Sequence, residues 1–200
     1  YGRNIWGCPS DSNADYAWLQ HMIKSMDTKT GRCAVVLPQG VLFRGGKEYE
    51  IRKQLIESDK LECIITLVSG VFYSTGASAC ILLLNNNKIE KHRRQICMID
   101  ASDIYTPQRA QNIMTNDDVE KVYSLYKNYE DVIERVKVVT IDDIRDKNYT
   151  LAINNYIENK EHKLLPPDEV RRQYFEAFNE VIIAEEQLRK LLIEGGYCNE

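Results

Sequence analysis

The chain has 200 residues, of which 44% are hydrophobic and 28% are charged, and its formal net charge is −4. These values are ordinary for one globular domain, or for one domain with an appendage. The negative balance argues against nonspecific binding of nucleic acid by the whole chain, so DNA contacts would come from local basic clusters or from a partner. No apolar run reaches the ~18 residues of a membrane span, and no signal peptide leads the chain.

The cysteines also limit the class of protein. None of the six forms a Cys-x-x-Cys pair, and four of them lie in apolar runs: Cys33, Cys63, Cys80 and Cys97. A free thiol in such a run behaves as a small buried hydrophobic side chain. This usage favours reduced thiols over a disulfide framework or a zinc site, and it predicts a cytoplasmic protein with no membrane partner.

Alternating helical and strand-like segments predict an open α/β sheet. After an irregular start over 1–13, a helix capped by Asn13 precedes a first apolar run, 33–37, which ends at Pro38. A short apolar run without alternation is typical of a strand buried on both faces of a parallel sheet. The later predicted elements are a helix over Lys47–Glu57, strands over 61–68, 79–84 and 95–100, a helix over 117–128 and a short strand over 136–141.

Two loops, 38–46 and 69–78, follow predicted strands, and ligands of open α/β sheets bind beyond the carboxyl ends of strands. In the first loop, the spacing of Gly40 and Gly45 suggests a phosphate-binding loop. An extra glycine precedes the lysine, however, and Glu48 stands where a hydroxyl is required. The glycines therefore indicate a tight turn into a helix rather than a nucleotide site.

The second loop contains two adjacent aromatic residues, Phe72 and Tyr73. Enzymes that modify a base extrude it from the duplex and hold it against an aromatic face. The alternative is that Phe72 fills the core and Tyr73 is half exposed. Two further features stay open at this point: Asp100 ends a predicted strand, and the basic run 88–94 either contacts phosphates or forms a solvated turn.

One long helix is predicted from Asp168 to Glu194, after Pro166-Pro167 and before Gly195-Gly196. An apolar stripe with a spacing close to a heptad, interrupted by Glu185, runs along it: Tyr174, Phe178, Val181, Leu188 and Leu192. A long helix with a narrow apolar stripe needs a partner helix. We therefore divide the chain into a main domain over 1–160 and a helical tail for subunit assembly over 161–200.

Several segments between about residue 7 and residue 156 resemble, in the same order and spacing, the modification (M) subunit of type I restriction–modification systems. These subunits are adenine-N6 DNA methyltransferases. The resemblance is carried by ADYAWLQHM (14–22), GRCAVVLPQGVLFRGG (31–46), IR (51–52), GVFYSTG (70–76), ACIL (79–82), IDAS (99–102) and YTLAINNY (149–156).

The resemblance implies the C-terminal half of a Rossmann-like, S-adenosylmethionine-dependent methyltransferase sheet, followed by a C-terminal helical tail. It implies methyl transfer to N6 of an extruded adenine in DNA, in a complex with specificity (S) and restriction (R) subunits. Phe72 and Tyr73 then become candidates for the base pocket, and the helical stripe a candidate contact with the S subunit. The candidates for DNA contact are Arg44, Lys88, Arg93 and Arg94.

The chain departs from the family in one respect. The glycine-rich donor loop, the acidic residue for the donor ribose and the Asn-Pro-Pro-aromatic tetrapeptide are missing from its sequence; Pro166-Pro167 is followed by Asp168. We therefore expect these motifs upstream of residue 1, no catalytic, donor-binding or metal residue within the 200, and no activity of the chain alone. The alternative is a non-catalytic module that binds a specificity subunit. An unpaired edge at 33–37 also predicts self-association.

Overall fold

The computed structural model describes residues 2–73, 75–109, 111–157 and 166–197. Its contacts divide the chain into two compact units, Tyr1–Asn159 and Lys160–Glu200. The predicted boundary between residues 160 and 161 falls in the stretch 158–165, which lies outside the described residues, and it stays a prediction.

A mixed five-stranded sheet forms the centre of the first unit. Its strands are β1 (Arg32–Pro38), β2 (Leu61–Leu67), β3 (Ala79–Asn85), β4 (Gln95–Ala101) and β7 (Val136–Thr140), in the order β1-β3-β2-β4-β7. β2 and β4 are parallel, whereas β3 is antiparallel to β1 and β2, and β7 is antiparallel to β4. β1, β2 and β4 therefore point the same way. Their last residues define the carboxyl end of the sheet, and their first residues define its amino end.

Helices cover both faces of this sheet. They are α1 (Asp15–Ser25), α2 (Lys47–Glu57), α3 (Asn116–Asn128) and α4 (Ile141–Asp146), with 3-10 turns at Gln39–Leu42, Glu90–His92 and Ile153–Asn155. Apolar residues of α1, α2 and α4 pack on one face, and α3 packs on the other. A two-stranded ribbon, β5 (Thr106–Pro107) with β6 (Asn112–Ile113), follows β4. The architecture confirms the predicted α/β class, and the bounds of α2 agree with the prediction.

The prediction that the first strand is buried on both faces is wrong. β1 alternates along its second half: Val35 and Leu37 are buried, while Val36 is 51% exposed. The reason is position, because β1 lies at the edge of the sheet with β3 as its one neighbour among the described residues. β2, paired on both sides, is buried at all seven positions. The unpaired edge of β1 fits the expected self-association, which itself stays a prediction.

The buried thiols agree with the sequence analysis in most respects. Cys63, Cys80 and Cys97 are buried free cysteines, whereas Cys33, on the edge strand, is half-buried. Burial raises the pKa of the Cys63 thiol well above its ordinary value. A thiol that stays protonated is a poor nucleophile and a poor metal ligand, so Cys63 acts as a packing group.

Arg52 ties the loop after β1 to the segment after α4. This side chain of α2 is 2% exposed, and its guanidinium donates to the carbonyl oxygens of Arg44 (2.7 Å), Tyr149 (2.8 Å) and, at 3.4 Å, Val41. The hydroxyl of Tyr16 also donates to the Val41 carbonyl, at 2.6 Å. Burial raises the pKa of that hydroxyl, so it remains a donor at any physiological pH. These bonds fix backbone that flanks the carboxyl end of the sheet.

Replacing Arg52 by methionine tests this arrangement. Methionine fills much of the same space but donates nothing, so buried carbonyls lose their donor and the free energy of unfolding should fall by about 3 kcal/mol. Urea denaturation followed by circular dichroism measures the change. The matched control is Arg109→Met, at an exposed arginine of the same unit, which should leave stability unchanged. Equal midpoints for the two variants would show that the buried guanidinium contributes nothing.

Candidate functional site

A cleft of about 440 Å³ opens at the carboxyl end of the sheet. Its walls come from the turn after β1, the ends of β2 and β4, the loop that follows each of them, and the 3-10 turn Ile153–Asn155. We call it the carboxyl-end cleft. Its described lining residues are mostly polar, and Asp100 is the one carboxylate among them.

Asp100 is held in a defined orientation. Its Oδ1 accepts a hydrogen bond from the Thr66 hydroxyl at 2.9 Å and another from the Ser102 backbone N–H at 3.0 Å. Thr66 lies directly opposite Asp100 in the parallel pairing of β2 with β4. The sequence left Asp100 open because its partner is 34 positions away along the chain. The signal that could have identified it is an acidic residue at the end of a strand paired in parallel, since such ends meet at the ligand-binding edge.

The two aromatic candidates lie on the loop beside this cleft. Phe72 is 40% exposed and Tyr73 is 84% exposed, so Phe72 does not fill the core as the alternative required. Asn112 anchors the loop: its side-chain amide donates to the Ser69 carbonyl at 2.9 Å, and its backbone N–H donates to Gly70 at 3.0 Å. Sequence reasoning missed two further exposed rings, Phe43 and Tyr105, which line the cleft itself.

Arg44 is engaged in the turn after β1. Its guanidinium pairs with the Asp15 carboxylate at 2.8 Å and lies 4.0 Å from Glu48. A Cβ on Gly40 would approach the Arg44 side chain within 2.6 Å, so this glycine makes room for the arginine. That packing explains the glycine without a phosphate ligand. A DNA contact by Arg44 would have to compete with Asp15, and it stays a prediction.

The basic run lies at the opposite end of the sheet. Lys88 is buried, and its ammonium donates to Asp59 at 2.7 Å and to the Gln95 carbonyl at 2.8 Å. Burial lowers the pKa of Lys88, an effect that Asp59 opposes. A phosphate would have to compete with Asp59 for this ammonium, and contact of Lys88 with DNA stays a prediction.

Arg93 and Arg94 do lie on the surface, 60% and 54% exposed at their side chains. Each faces a carboxylate: Glu90 lies 2.8 Å from Arg93, and Asp142 lies 3.5 Å from Arg94. Both arginines precede β4, whose seven residues separate them from the cleft by about 20 Å. The structure therefore does not bring Arg93 and Arg94 together with Phe72 and Tyr73.

The second unit contains the helix α5 (Pro167–Glu194), which confirms the long helix predicted from residue 168. None of its described residues is buried within the unit. Four members of the predicted stripe are 48–62% exposed: Tyr174, Phe178, Val181 and Leu188. The fifth, Leu192, is half-buried. A helix is stabilised mainly by burying its apolar face against other elements. The exposed stripe of α5 is therefore available to a partner.

Two classes of site find no support in the described ranges. No helix there is long and apolar enough to cross a membrane. Nor does the described part contain a group of three His, Cys, Asp or Glu side chains that could hold a metal ion.

A family model for N-6 DNA methylases matches residues 2–164. The chain belongs to the N-6 DNA methylase family. It is 34% identical over 199 residues to the type I restriction enzyme MjaVIII methylase subunit of Methanocaldococcus jannaschii. The aligned region covers 98% of this chain and 33% of that protein. It is 35% identical over 178 residues to the MjaVII methylase subunit of the same organism. The chain thus spans about a third of the length of these relatives.

Solved structures agree with this membership. The crystal structure of a type I restriction-modification methyltransferase subunit from Streptococcus thermophilus matches with a TM-score of 0.71 and 33% identity, over 75% of this chain and 31% of that one. The EcoKI M protein matches with a TM-score of 0.56 at 24% identity, over 92% and 45% of the two chains, which supports the fold alone. The resemblance to type I M subunits and the Rossmann-like fold are confirmed.

The family implies S-adenosylmethionine as methyl donor. A nucleoside of this kind is held by a glycine-rich turn that the ligand approaches closely and by an acidic residue on the ribose. The turn at Gly40 does not allow such an approach, because the Arg44 guanidinium occupies the open side of this glycine. That this chain contains no donor site stays a prediction.

The burial of Lys88 leads to a prediction that separates structural from DNA-binding lysines. In Lys88→Met, Asp59 loses its charged partner and keeps the N–H of Arg94, and the free energy of unfolding should fall by about 2 kcal/mol. Thermal or urea unfolding measures this loss. The matched control, Arg93→Met, removes an exposed charge of the same run and should leave the stability unchanged. A Lys88→Met variant as stable as the wild type would contradict the structural role.

Proposed function

We propose that this chain is part of the M subunit of a type I restriction–modification system, which transfers a methyl group from S-adenosylmethionine to N6 of adenine in DNA. The observation that supports this most directly is the extent of the match to MjaVIII, 34% identity across 98% of the chain. It includes the strands, the loop with Phe72 and Tyr73 and the cleft beside it. A similarity limited to a short motif would not include all of these elements.

The exposed aromatic loop supports the proposed reaction on DNA. Two adjacent rings at a ligand-binding edge leave apolar surface in water unless something packs on them. An extruded base offers a flat face to such rings, and stacking contributes about 1–3 kcal/mol per base. In this proposal Phe72 and Tyr73 form one side of the base pocket. The side chains that hold the amino group during transfer belong to other parts of the protein.

The chain alone is proposed to be inactive, because its sequence lacks the Asn-Pro-Pro-aromatic tetrapeptide and the glycine-rich donor loop. It contributes part of the sheet, the aromatic loop and the helix α5. The S and R subunits and DNA are the proposed partners of the whole protein, and the cytoplasm is its proposed location. Arg93 and Arg94 remain candidates for contact with DNA away from the base pocket.

A chimaeric methylase tests the proposed function. The matching segment of the MjaVIII subunit is replaced by this chain, and adenine methylation is assayed with that system's specificity subunit. We expect the chimaera to methylate DNA, and Phe72→Ala to lower kcat/KM by about ten- to a hundredfold because a stacking surface is lost. Tyr123→Ala, at an exposed tyrosine of α3, is the control and should leave kcat/KM unchanged.

The outcomes of this assay separate the two parts of the proposal. A folded chimaera that methylates no DNA would argue against the methyltransferase function. Methylation that is unaffected by Phe72→Ala, or lowered equally by Tyr123→Ala, would leave the function in place and remove the base pocket from this loop.

The helix α5 is proposed to bind the S subunit, and this is also the basis of the alternative, a purely assembling module. Phe178→Glu with Leu188→Glu places two carboxylates in the apolar stripe, where burial against a partner helix would desolvate them. We expect S-subunit affinity to fall more than about tenfold. The control, Asn179→Glu with Gln187→Glu, adds the same charge outside the stripe. Copurification and calorimetry measure both, and equal affinities for the two pairs would exclude the stripe as the interface.

A further inference from the structure

We propose that the carboxyl-end cleft binds an unpaired nucleobase that carries an exocyclic amino group, and that Asp100 accepts a hydrogen bond from that group. The inference rests on the proposed function, since it takes DNA as the substrate. It adds a base-recognising carboxylate on β4, outside the aromatic loop. The base bound there is recognised by its amino edge, and no chemistry on it is implied.

The hydrogen bonds of Asp100 involve only one of its two carboxylate oxygens. Both donors that it receives, the Thr66 hydroxyl and the Ser102 N–H, meet the same oxygen, Oδ1. Oδ2 has no hydrogen-bond donor among the described residues, and the side chain is half-buried in the wall of the cleft. The bond to Ser102 is that of an ordinary turn two residues long, which needs only one oxygen. The second oxygen is held in place by bonds to the first and is free to accept from a ligand.

The charge of the cleft selects the kind of ligand. The described residues that line it include no lysine or arginine. The nearby guanidinium of Arg135 is bonded to Asp103 and does not line the cleft, so the carboxylate of Asp100 repels phosphate there and the sugar–phosphate backbone is a poor occupant. A carboxylate accepts well from the amino groups of bases, as in the contact of Asp or Glu with cytosine N4. A planar, neutral group with an amino edge is therefore the part of a nucleic acid that fits.

The remaining lining suits a base in shape and in hydrogen bonding. The side-chain amides of Gln39 and Asn154 form no hydrogen bond with other described residues, and an amide can serve as donor or acceptor to a base edge. Phe43 and Tyr105 are 57% and 37% exposed and present rings on which a base can stack. The volume of about 440 Å³ lies in the range of small-molecule sites.

The test compares two ligands that differ at one position. Labelled single-stranded oligonucleotides of abasic nucleotides carry one central dA or one central purine 2′-deoxyribonucleoside, so the two bases differ only in the amino group at C6. Fluorescence anisotropy with the full chain, at one fixed salt concentration, gives both affinities. We expect wild-type protein to bind the dA oligonucleotide about tenfold more tightly than the purine one.

Asp100→Asn then removes the preference. Because Thr66 and Ser102 both donate to Oδ1, the amide oxygen of asparagine takes that place, and its NH₂ replaces Oδ2 as a donor toward the ligand. That NH₂ cannot accept from the amino group of adenine, so the variant should bind the two oligonucleotides about equally. The control is Asp146→Asn, which removes the same charge from an exposed residue at the end of α4 outside the cleft. It changes both affinities equally through charge and should keep the wild-type ratio.

Three results would overturn the inference. They are a ratio of dA to purine affinity near one in the wild type, a ratio that Asp100→Asn leaves unchanged, and no binding of either oligonucleotide by the wild type. Displacement of the oligonucleotide by S-adenosylmethionine would also overturn it, by assigning the cleft to the donor. Methylation by the chimaera is measured separately, so the proposed function can stand when this inference fails.

Discussion

The buried guanidinium of Arg52 is the interaction on which the carboxyl end of the sheet depends. It joins two stretches of backbone that are far apart in sequence, the turn after β1 and the segment around Tyr149. A buried cation is costly unless its N–H groups are hydrogen-bonded. Here they donate to the carbonyls of Arg44 and Tyr149, which lie outside the helices and strands. The same contacts keep Leu42 beside Leu151, whose N–H donates to the Leu42 carbonyl at 2.8 Å.

Several features that look like separate motifs in the sequence belong to this one arrangement. Arg44 offers its carbonyl to Arg52 and its guanidinium to Asp15, and Gly40 leaves the space in which that guanidinium lies. The glycines of the turn thus serve the packing of arginines. With the turn fixed, Leu42 and Phe43 form one wall of the carboxyl-end cleft. The buried guanidinium of Arg52 therefore fixes this wall of the cleft, although Arg52 does not line the cleft itself.

The sequence predicted the type and position of each helix and strand better than it predicted which elements lie side by side. Apolar runs and caps locate β2 and α2 because burial and helix ends leave a local pattern. Whether a strand lies at the edge depends on which strands pair, and β3 inserts between β1 and β2. That pairing is nonlocal, so the apolar run alone predicted burial of β1 on both faces, although the motifs missing from the chain predicted an unpaired edge at 33–37. Lys88 and Asp100 show the same limit, since Asp59 and Thr66 lie 29 and 34 positions away from them.

The position of the basic run gives a further constraint on how DNA is held. Arg93 and Arg94 lie about 20 Å from the cleft, at the other end of β4, and both face carboxylates. A nucleotide bound in the cleft cannot have its own phosphates neutralised from there, because screening removes most of an interaction beyond about 10 Å. In the proposed function, affinity for the backbone near the base would come from Arg44 in the turn after β1, from other parts of the protein or from a partner. A net charge of −4 agrees with this division, because the chain as a whole does not attract DNA.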